Sequence, residues 1–428
     1  MSGRKFMLGA MGAALTVLAA GSVVRSDAAK PSVVKVEKSG EAFRLVRNGQ
    51  PYVIRGAGGR IHLETLRDAG GNSIRTWGEN DLEPLLDRAQ ELGITVTIGI
   101  WLGQPRQGFR YDNEGAVRAQ LEMARGFIRR YRNHPALLMW GIGNEMEGDG
   151  KDARIWTAVN DIAKMVHQED PNHPAMTVVA EIGDDKAGQF QRLCPDVDVL
   201  GINSYAGLPT LAKRLKESAF TRPYVVTEHG PQGTWEVEKT PWGAPIEASS
   251  TRKAEEYLAN YQTSIGGQAR CLGSYVFHWG QKQETTGTWF GMFLNSGERL
   301  GTVDAMTYAW TGKWPANRAP KLSKFETDVE RKEVPAGSVH TVKLAVEDPD
   351  GDPLMVRWEV RSESSDRREG GDRESEPIAH PEAFMEARGT QFTFRAPSFQ
   401  GGYRVFAYVY DGKGNAASAN VPFFVKVN

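Results

Sequence analysis

The stretch from Thr95 to Glu145 decides the fold: TVTIGIW (Thr95–Trp101), then AVRAQLEMARGFIRRYRNH (Ala116–His134), then ALLMWGIGNE (Ala136–Glu145). The outer two segments are short apolar runs of strand length. The middle one repeats its apolar residues every three or four positions, as an amphipathic helix does. Strand, helix, strand with no hairpin turn between them is the signature of two parallel strands joined by a crossover.

The same unit recurs on both sides. Further strand-like runs are Tyr52–Gly56, Asn72–Trp77, Ala175–Glu181, Val197–Tyr205, Tyr224–Glu228 and Leu272–Trp279. DLEPLLDRAQELG, ARIWTAVNDIAKMVHQED and TRKAEEYLANYQTSIGG supply helical patterns between them. Eight strands alternating with helices make an α/β fold and match the count that closes a (β/α)8 TIM barrel. An open doubly wound sheet is the alternative, but Gly56-Ala57-Gly58-Gly59 after the first run lacks the G-x-G-x-x-G spacing. Before the barrel, Val33–Ile54 reads as a β-hairpin region turning at Asn48-Gly49. After it, from Asn317, short alternating runs (HTVKLAVED, LMVRWEV, TQFTFRA, YRVFAYVYD) predict a β-sandwich. The division is residues 1–29 as a leader, 31–316 as the barrel domain with its hairpin, and 317–428 as an immunoglobulin- or cadherin-like sandwich. The charged insertion SESSDRREGGDRESE (Ser362–Glu376) reads as a mobile loop rather than a functional site.

Composition narrows the partners. The 428 residues carry 52 Lys+Arg against 53 Asp+Glu, a net charge of −1, so no global field favours nucleic acid or an anionic membrane. Arg4 and Lys5 precede a nearly uncharged stretch, Phe6–Val24, and Ser26-Asp27-Ala28-Ala29 follows. That order is a secretory signal, implying a secreted or periplasmic protein with no stable membrane span once the signal is cleaved. Cys194 and Cys271 make no disulfide framework and no metal site; a pair and two free thiols both remain open. No cofactor and no metal are expected. Asp348, Asp350 and Asp352 in DPDGDP offer oxygen ligands, but a solvated turn is the favoured reading. The oligomeric state is not readable.

In a TIM barrel the chemistry sits at the carboxyl ends of the strands. Run four ends in Asn144-Glu145, run six in Tyr205, run seven in Glu228-His229, and run eight in His278-Trp279. Run two carries Arg75 and Trp77, and run three ends in Trp101. Two Glu residues thus face one mouth from roughly opposite sides, the arrangement glycoside cleavage requires. A structural alternative is that one Glu only pairs with Arg75. With every candidate before Pro315, the barrel is expected to act without the sandwich. Aromatic residues in the long loops (Phe109, Tyr111, Trp235, Trp242, Trp289, Phe290) suit stacking on sugar rings, about half of them being structural.

The local sequences carry a resemblance. RNHPALLMWGIGNE (Arg132–Glu145) resembles the fourth-strand motif of clan A glycoside hydrolases, most nearly the barrel domain of family 2. YVVTEHG (Tyr224–Gly230) resembles the strand-seven motif, and NGQPYVIRGAGG (Asn48–Gly59) the start of that domain. The resemblance implies Glu145 as acid/base and Glu228 as nucleophile of a retaining hydrolase of β-linked glycans. It implies Asn144 at the sugar 2-hydroxyl, Tyr205 and Arg75 beside the nucleophile, and Trp279 as floor of the sugar subsite. Trp77, Trp101, His229 and His278 are added as substrate-binding candidates. An oligo- or polysaccharide is the expected partner. The short segment before the barrel, in place of the family's usual preceding domains, leaves endo and exo action open. A transglycosylase using the same two Glu residues and a non-catalytic carbohydrate-binding protein are the alternatives.

Overall fold

The computed structural model describes residues 30–78 and 81–427; the expected leader lies outside them. Eight parallel strands close a barrel. In chain order they follow a meander of β1 (Val34–Ser39), β2 (Ala42–Arg47) and β3 (Gln50–Tyr52), and are β4 (Ile54–Gly58), β5 (Ser73–Arg75), β6 (Thr95–Ile100), β7 (Leu137–Ile142), β8 (Ala175–Ala180), β9 (Val199–Asn203), β10 (Tyr224–His229) and β11 (Cys271–Val276). The order β10-β11-β4-β5-β6-β7-β8-β9 joins each strand to its sequence neighbour and β11 to β4. The first run starts two residues later than its apolar pattern suggests. Tyr52 ends the meander instead, its hydroxyl donating to the Asn72 carbonyl at 2.8 Å.

Strands covered on both faces are largely apolar, and β6, β7 and β10 are buried throughout, with buried polar members such as Thr97 and Thr227 hydrogen-bonded to Tyr275 and Asn203. Their outer faces pack on helices that the sequence caps locally. Asn113 and Ser249 each accept a backbone N–H three residues on, opening α1 (Glu114–Tyr131) and α2 (Ser250–Asn260). Val34 and Leu45 of the meander join Leu138, Met176 and Val199 in one apolar cluster, which closes the amino-terminal end of the barrel. The β2–β3 turn is Asn48-Gly49, both with positive φ (51° and 78°), as a two-residue hairpin demands. Cys194 and Cys271 are free thiols.

The carboxy-terminal region is a sandwich. One sheet runs β12 (Arg299–Leu300), β20 (Asn415–Lys426), β19 (Gly401–Tyr410), β16 (Met355–Ser362), with β14 (Glu333–Pro335) also on β20. The other runs β13 (Lys321–Thr327), β15 (Val339–Glu347), β18 (Gln391–Arg395), β17 (Phe384–Arg388). Strand β12 belongs to the barrel half of the sequence, so the sandwich borrows a strand across the expected boundary. A polar seam adds to this. Buried Glu247 accepts from Lys253 at 2.6 Å, Thr286 at 2.7 Å, Thr288 at 2.8 Å and, from the sandwich, Asn420 at 2.7 Å. Arg404, also buried, pairs with Glu363 at 2.7 Å and donates to the Pro245 carbonyl at 2.6 Å.

One expectation changes here, and one turn is seen in more detail. Past Ser362, which ends β16, the Ser362–Glu376 insertion has no regular structure, yet it is pinned to the barrel mouth. Glu374, 5% exposed, accepts the Thr285 backbone N–H at 2.6 Å; Lys282 donates to the Gly371 carbonyl at 2.8 Å; Arg106 pairs with Asp372 at 3.3 Å. In DPDGDP, Asp350 turns to the Arg318 N–H at 2.7 Å, and Asp348 accepts the N–H groups of Asp350 and Asp352. Asp348, Asp352 and, from a distant turn, Asp411 bring carboxylate oxygens within 4.8 Å of one another. Among the described residues no helix is long and apolar enough to cross a membrane.

Candidate active site

Strand β7 ends at Ile142, and the chain then breaks into the left-handed region at Gly143 (φ 70°) and Glu145 (φ 51°). The second of these is costly for a side chain with a Cβ, of order 1 kcal/mol or more, and such strain concentrates at functional positions. It lets two consecutive residues, Asn144 and Glu145, both reach the cleft. Arg75 leaves β5 toward the barrel axis. Its Nη1 donates to Glu228 Oε1 at 2.9 Å and to the Thr227 carbonyl at 3.1 Å, and its Nη2 to Asn144 Oδ1 at 2.5 Å.

Glu228 receives two further donors. Trp77 Nε1 reaches Oε1 at 2.9 Å, and the Tyr205 hydroxyl reaches Oε2 at 2.8 Å. Guanidinium and indole N–H groups only donate, so this shell matches an acceptor-only carboxylate. Burial pushes the Tyr205 hydroxyl well up, which keeps it a proton donor. Glu145 sits in a different setting. It accepts one hydrogen bond, from Asn203 Nδ2 at 2.7 Å. Burial first, and the neighbouring Glu228 charge second, raise its carboxyl to about 7. One carboxylate is surrounded by donors and the other has its proton affinity raised toward neutrality, the division that acid-assisted displacement uses.

Both carboxylates open into a cavity of about 1400 Å³. That exceeds the roughly 300–1,000 Å³ of ordinary small-molecule pockets and has room for several sugar units. Trp77, Trp101, Trp235, Phe277 and His278 line it, together with the insertion from Asp366 to Glu376. Trp235 is 57% exposed and meets the Tyr205 ring edge-on at 5.7 Å. Burial lowers His278 to about 4, so it stays neutral there.

Arg75, Trp77, Trp101, Asn144, Glu145, Tyr205, Glu228 and His278 are therefore brought together. Trp279 and His229 are not. Strand β11 stops at Val276, and the Trp279 N–H already returns to the Gly58 carbonyl at 2.9 Å. Its indole is fully buried against Phe293 and Trp310, so Phe277 and His278 hold the cleft wall expected of Trp279. His229 follows inward-facing Glu228 in a strand, so alternation turns it outward. It lies against Tyr257 of α2 and Ser274, fully buried. Of the loop aromatics, Trp289 and Phe290 are buried, Trp242 packs on Phe424 of the sandwich, and Phe109 packs on Tyr111.

Three contributors escaped the sequence reading. Asn203 stands two residues before Tyr205 on the same inward face, a signal that period-two alternation carries. Gln104, in a loop, donates to the Asn144 carbonyl at 2.7 Å and has no such signal. Glu374 acts from the sandwich, as described.

A TIM barrel holding one shielded and one solvated carboxylate at its carboxyl-end mouth has the pair of groups that glycoside cleavage uses. Among known proteins, residues 62–235 match the family model "Glycosyl hydrolases family 2, TIM barrel domain", in line with the strand motifs. The chain is 26% identical over 184 residues to β-glucuronidase of Sus scrofa, covering 39% of this chain and 26% of that protein. It is 32% identical over 110 residues to a β-galactosidase of Bacteroides ovatus, covering 24% and 12%. The chain thus spans about a quarter or less of these relatives. Among solved structures, a Bacteroides uniformis β-glucuronidase aligns with a TM-score of 0.52 at 15% identity, over 92% of this chain and 48% of that one. A β-galacturonidase from Eisenbergiella tayi aligns at 0.51 and 17%, over 66% and 54%. These structural likenesses speak for the fold alone.

Proposed function

We propose that this protein is a retaining β-glycosidase acting on β-linked glycans. The observation that carries the reading is the unequal shell around the two carboxylates: three donors on Glu228 against a buried, proton-holding Glu145. The Glu228 carboxylate attacks the anomeric carbon. The glycosidic C–O bond breaks as the Glu145 proton passes to the leaving oxygen. Water then attacks the same carbon, its proton goes to the Glu145 carboxylate, and the ester bond to Glu228 breaks. Asn144, its Oδ1 held by Arg75, keeps its amide N–H groups for a sugar hydroxyl.

Azide rescue tests the assignment. Glu228→Ala should lose ordinary turnover of an aryl β-glycoside and with azide yield the α-glycosyl azide. Glu145→Ala should keep its first step on activated substrates and with azide yield the β-glycosyl azide. The reverse pattern, read by NMR of the anomeric proton, means the roles are swapped; no rescue of either variant defeats the double-displacement reading. The relatives' names include both uronidases and a galactosidase, so family likeness leaves acidic and neutral sugars equally in frame.

A further inference from the structure

A second cavity adjoins the active-site cleft. Gln281, Gln283 and Glu376 border the cleft, and the same three residues border this cavity of about 1040 Å³. It lies between the loop after β11 and the β16–β19 face of the sandwich. By itself it reaches the top of the roughly 300–1,000 Å³ range of small-molecule pockets. Its wall holds three buried polar atoms with no hydrogen-bond partner among the described residues: Trp358 Nε1, Gln283 Nε2 and Glu359 Oε2. Trp358 is only 7% exposed, so its N–H is shielded from solvent as well as unpaired. Buried donors and acceptors of a native fold are nearly always satisfied, so such a set marks a place for a ligand's polar groups. Two of the three are donors and one is an acceptor. A hydroxyl both donates and accepts, so the hydroxyls of a sugar can serve all three. Apolar surface stands beside them. Phe384, 51% exposed, packs on Phe392 at 5.4 Å, and Phe392 stacks on Trp358 at 5.2 Å, so an open aromatic ring flanks the unpaired indole. Met355, also exposed, adds to the same wall.

We propose that this cavity is a second binding region for the same β-linked glycan, so that a long chain leaving the cleft past Gln281 and Gln283 is held by the sandwich as well as by the barrel. The proposal rests on the glycosidase reading of the cleft and names long oligosaccharides and polysaccharides as its substrate class. The shared rim selects the occupant: a chain bound between Glu145 and Glu228 that continues past Gln281 enters this cavity next. Hydroxyls meet the unpaired atoms there, and the apolar faces of sugar rings meet Phe384 and Met355. Binding energy gained so far from the reacting bond can be spent on orienting the chain at the two carboxylates.

The test uses the full chain and ladders of β-linked gluco-, manno-, galacto-, xylo- and glucurono-oligosaccharides, each from the disaccharide upward, with products read by mass. On the ladder that is cleaved, long members should exceed the disaccharide in kcat/KM by about tenfold or more, since one or two net hydrogen bonds are worth that factor. That lead should shrink about threefold or more in Trp358→Phe, which keeps a ring and deletes the N–H. Should that variant fail to fold, Met355→Ala/Phe384→Ala removes two exposed side chains of the same wall and should shrink the lead alike. A general fold defect lowers long and short members together and leaves their ratio; a lost binding region moves the ratio. Equal turnover of long and short members, or a lead that neither variant shrinks, overturns the proposal. Inactivity on every ladder defeats the hydrolase reading instead, and calorimetric binding of the same ladders then decides the second region by itself. Affinity that rises with chain length and falls in either variant upholds it; any other pattern overturns it.

Discussion

Replacing Glu228 by Gln should make Glu145 a stronger acid. The Glu145 carboxyl stands at about 7, from an ordinary 4.5, with burial the larger cause and Glu228 the second. At 1.36 kcal/mol per pH unit the full displacement is worth about 3 kcal/mol in favour of the neutral form. Carboxyl groups of retaining glycosidases stand roughly 5.5 Å apart. At that distance two unit charges repel by about 0.8 to 3 kcal/mol for an effective dielectric of roughly 80 to 20. Since burial outweighs the charge, the lower half of that range applies. Glu228→Gln should bring Glu145 down by about one pH unit, to about 6, and leave it above its ordinary value. The measurement is a 13C NMR titration of the Glu145 carboxyl, assigned by its loss in Glu145→Gln. A value in Glu228→Gln of 7 or higher would refute the coupling; a return to the ordinary carboxylate range would refute the primacy of burial. The same shift has a stability consequence. Between 4.5 and about 7 the folded protein binds a proton that the unfolded chain releases, so stability falls as pH rises through that window. Glu145→Gln, which cannot ionise, should therefore melt higher than the unaltered protein at pH 8 and no higher at pH 4.

Two other outcomes follow from the architecture and the amino terminus. A chain ending at Ala316 uncovers Leu294 and Leu300, which pack on Phe406 and Tyr408; at about 1.5–3 kcal/mol per side chain its melting temperature should drop on the order of 10 °C. Equal melting and equal activity on a glycan polymer would show that the barrel is self-sufficient after all. Export, proposed from the charged-then-apolar order of the first residues, predicts a mature chain beginning near Ala29 or Lys30; amino-terminal sequencing that finds Met1 on cytoplasmic protein defeats it.

Much of the barrel and most of the cleft could be read from the sequence because both depend on short-range pattern. A strand end is a local event; Arg75 and Glu228 sit at strand ends and Tyr205 two residues beyond one. What misled was direction and termination. His229 was readable in principle, since a residue after an inward Glu must face outward. Trp279 was not, because its fate depends on β11 stopping three residues earlier and on the chain folding back to the Gly58 carbonyl. The insertion is the instructive failure. Its composition is that of a solvated loop, and nothing within Ser362–Glu376 signals contact with residues far away in the sequence. Only tertiary structure places Asp372 beside Arg106.

That placement changes what the sandwich is for. A module appended for anchoring or stability would meet the barrel through an ordinary interface and leave its mouth open. Here Glu374 accepts the Thr285 N–H at 2.6 Å with one oxygen and the Arg368 N–H at 3.0 Å with the other. One buried carboxylate therefore ties the loop after strand eight to the insertion, and both segments line the cleft. Burying a charge is costly unless it is fully hydrogen-bonded, so the contact tolerates few alternatives once formed. Glu247 repeats the device a layer below, holding Thr286 and Thr288 of the same loop while accepting Asn420 of the sandwich. With Thr285 fixed to the second domain, and Thr286 and Thr288 fixed to Glu247, which Asn420 of that domain also holds, the loop that carries His278 and Gln281 beside Glu228 is braced by that domain. The site is accordingly a property of the two-domain unit, although every candidate catalytic residue lies in the barrel.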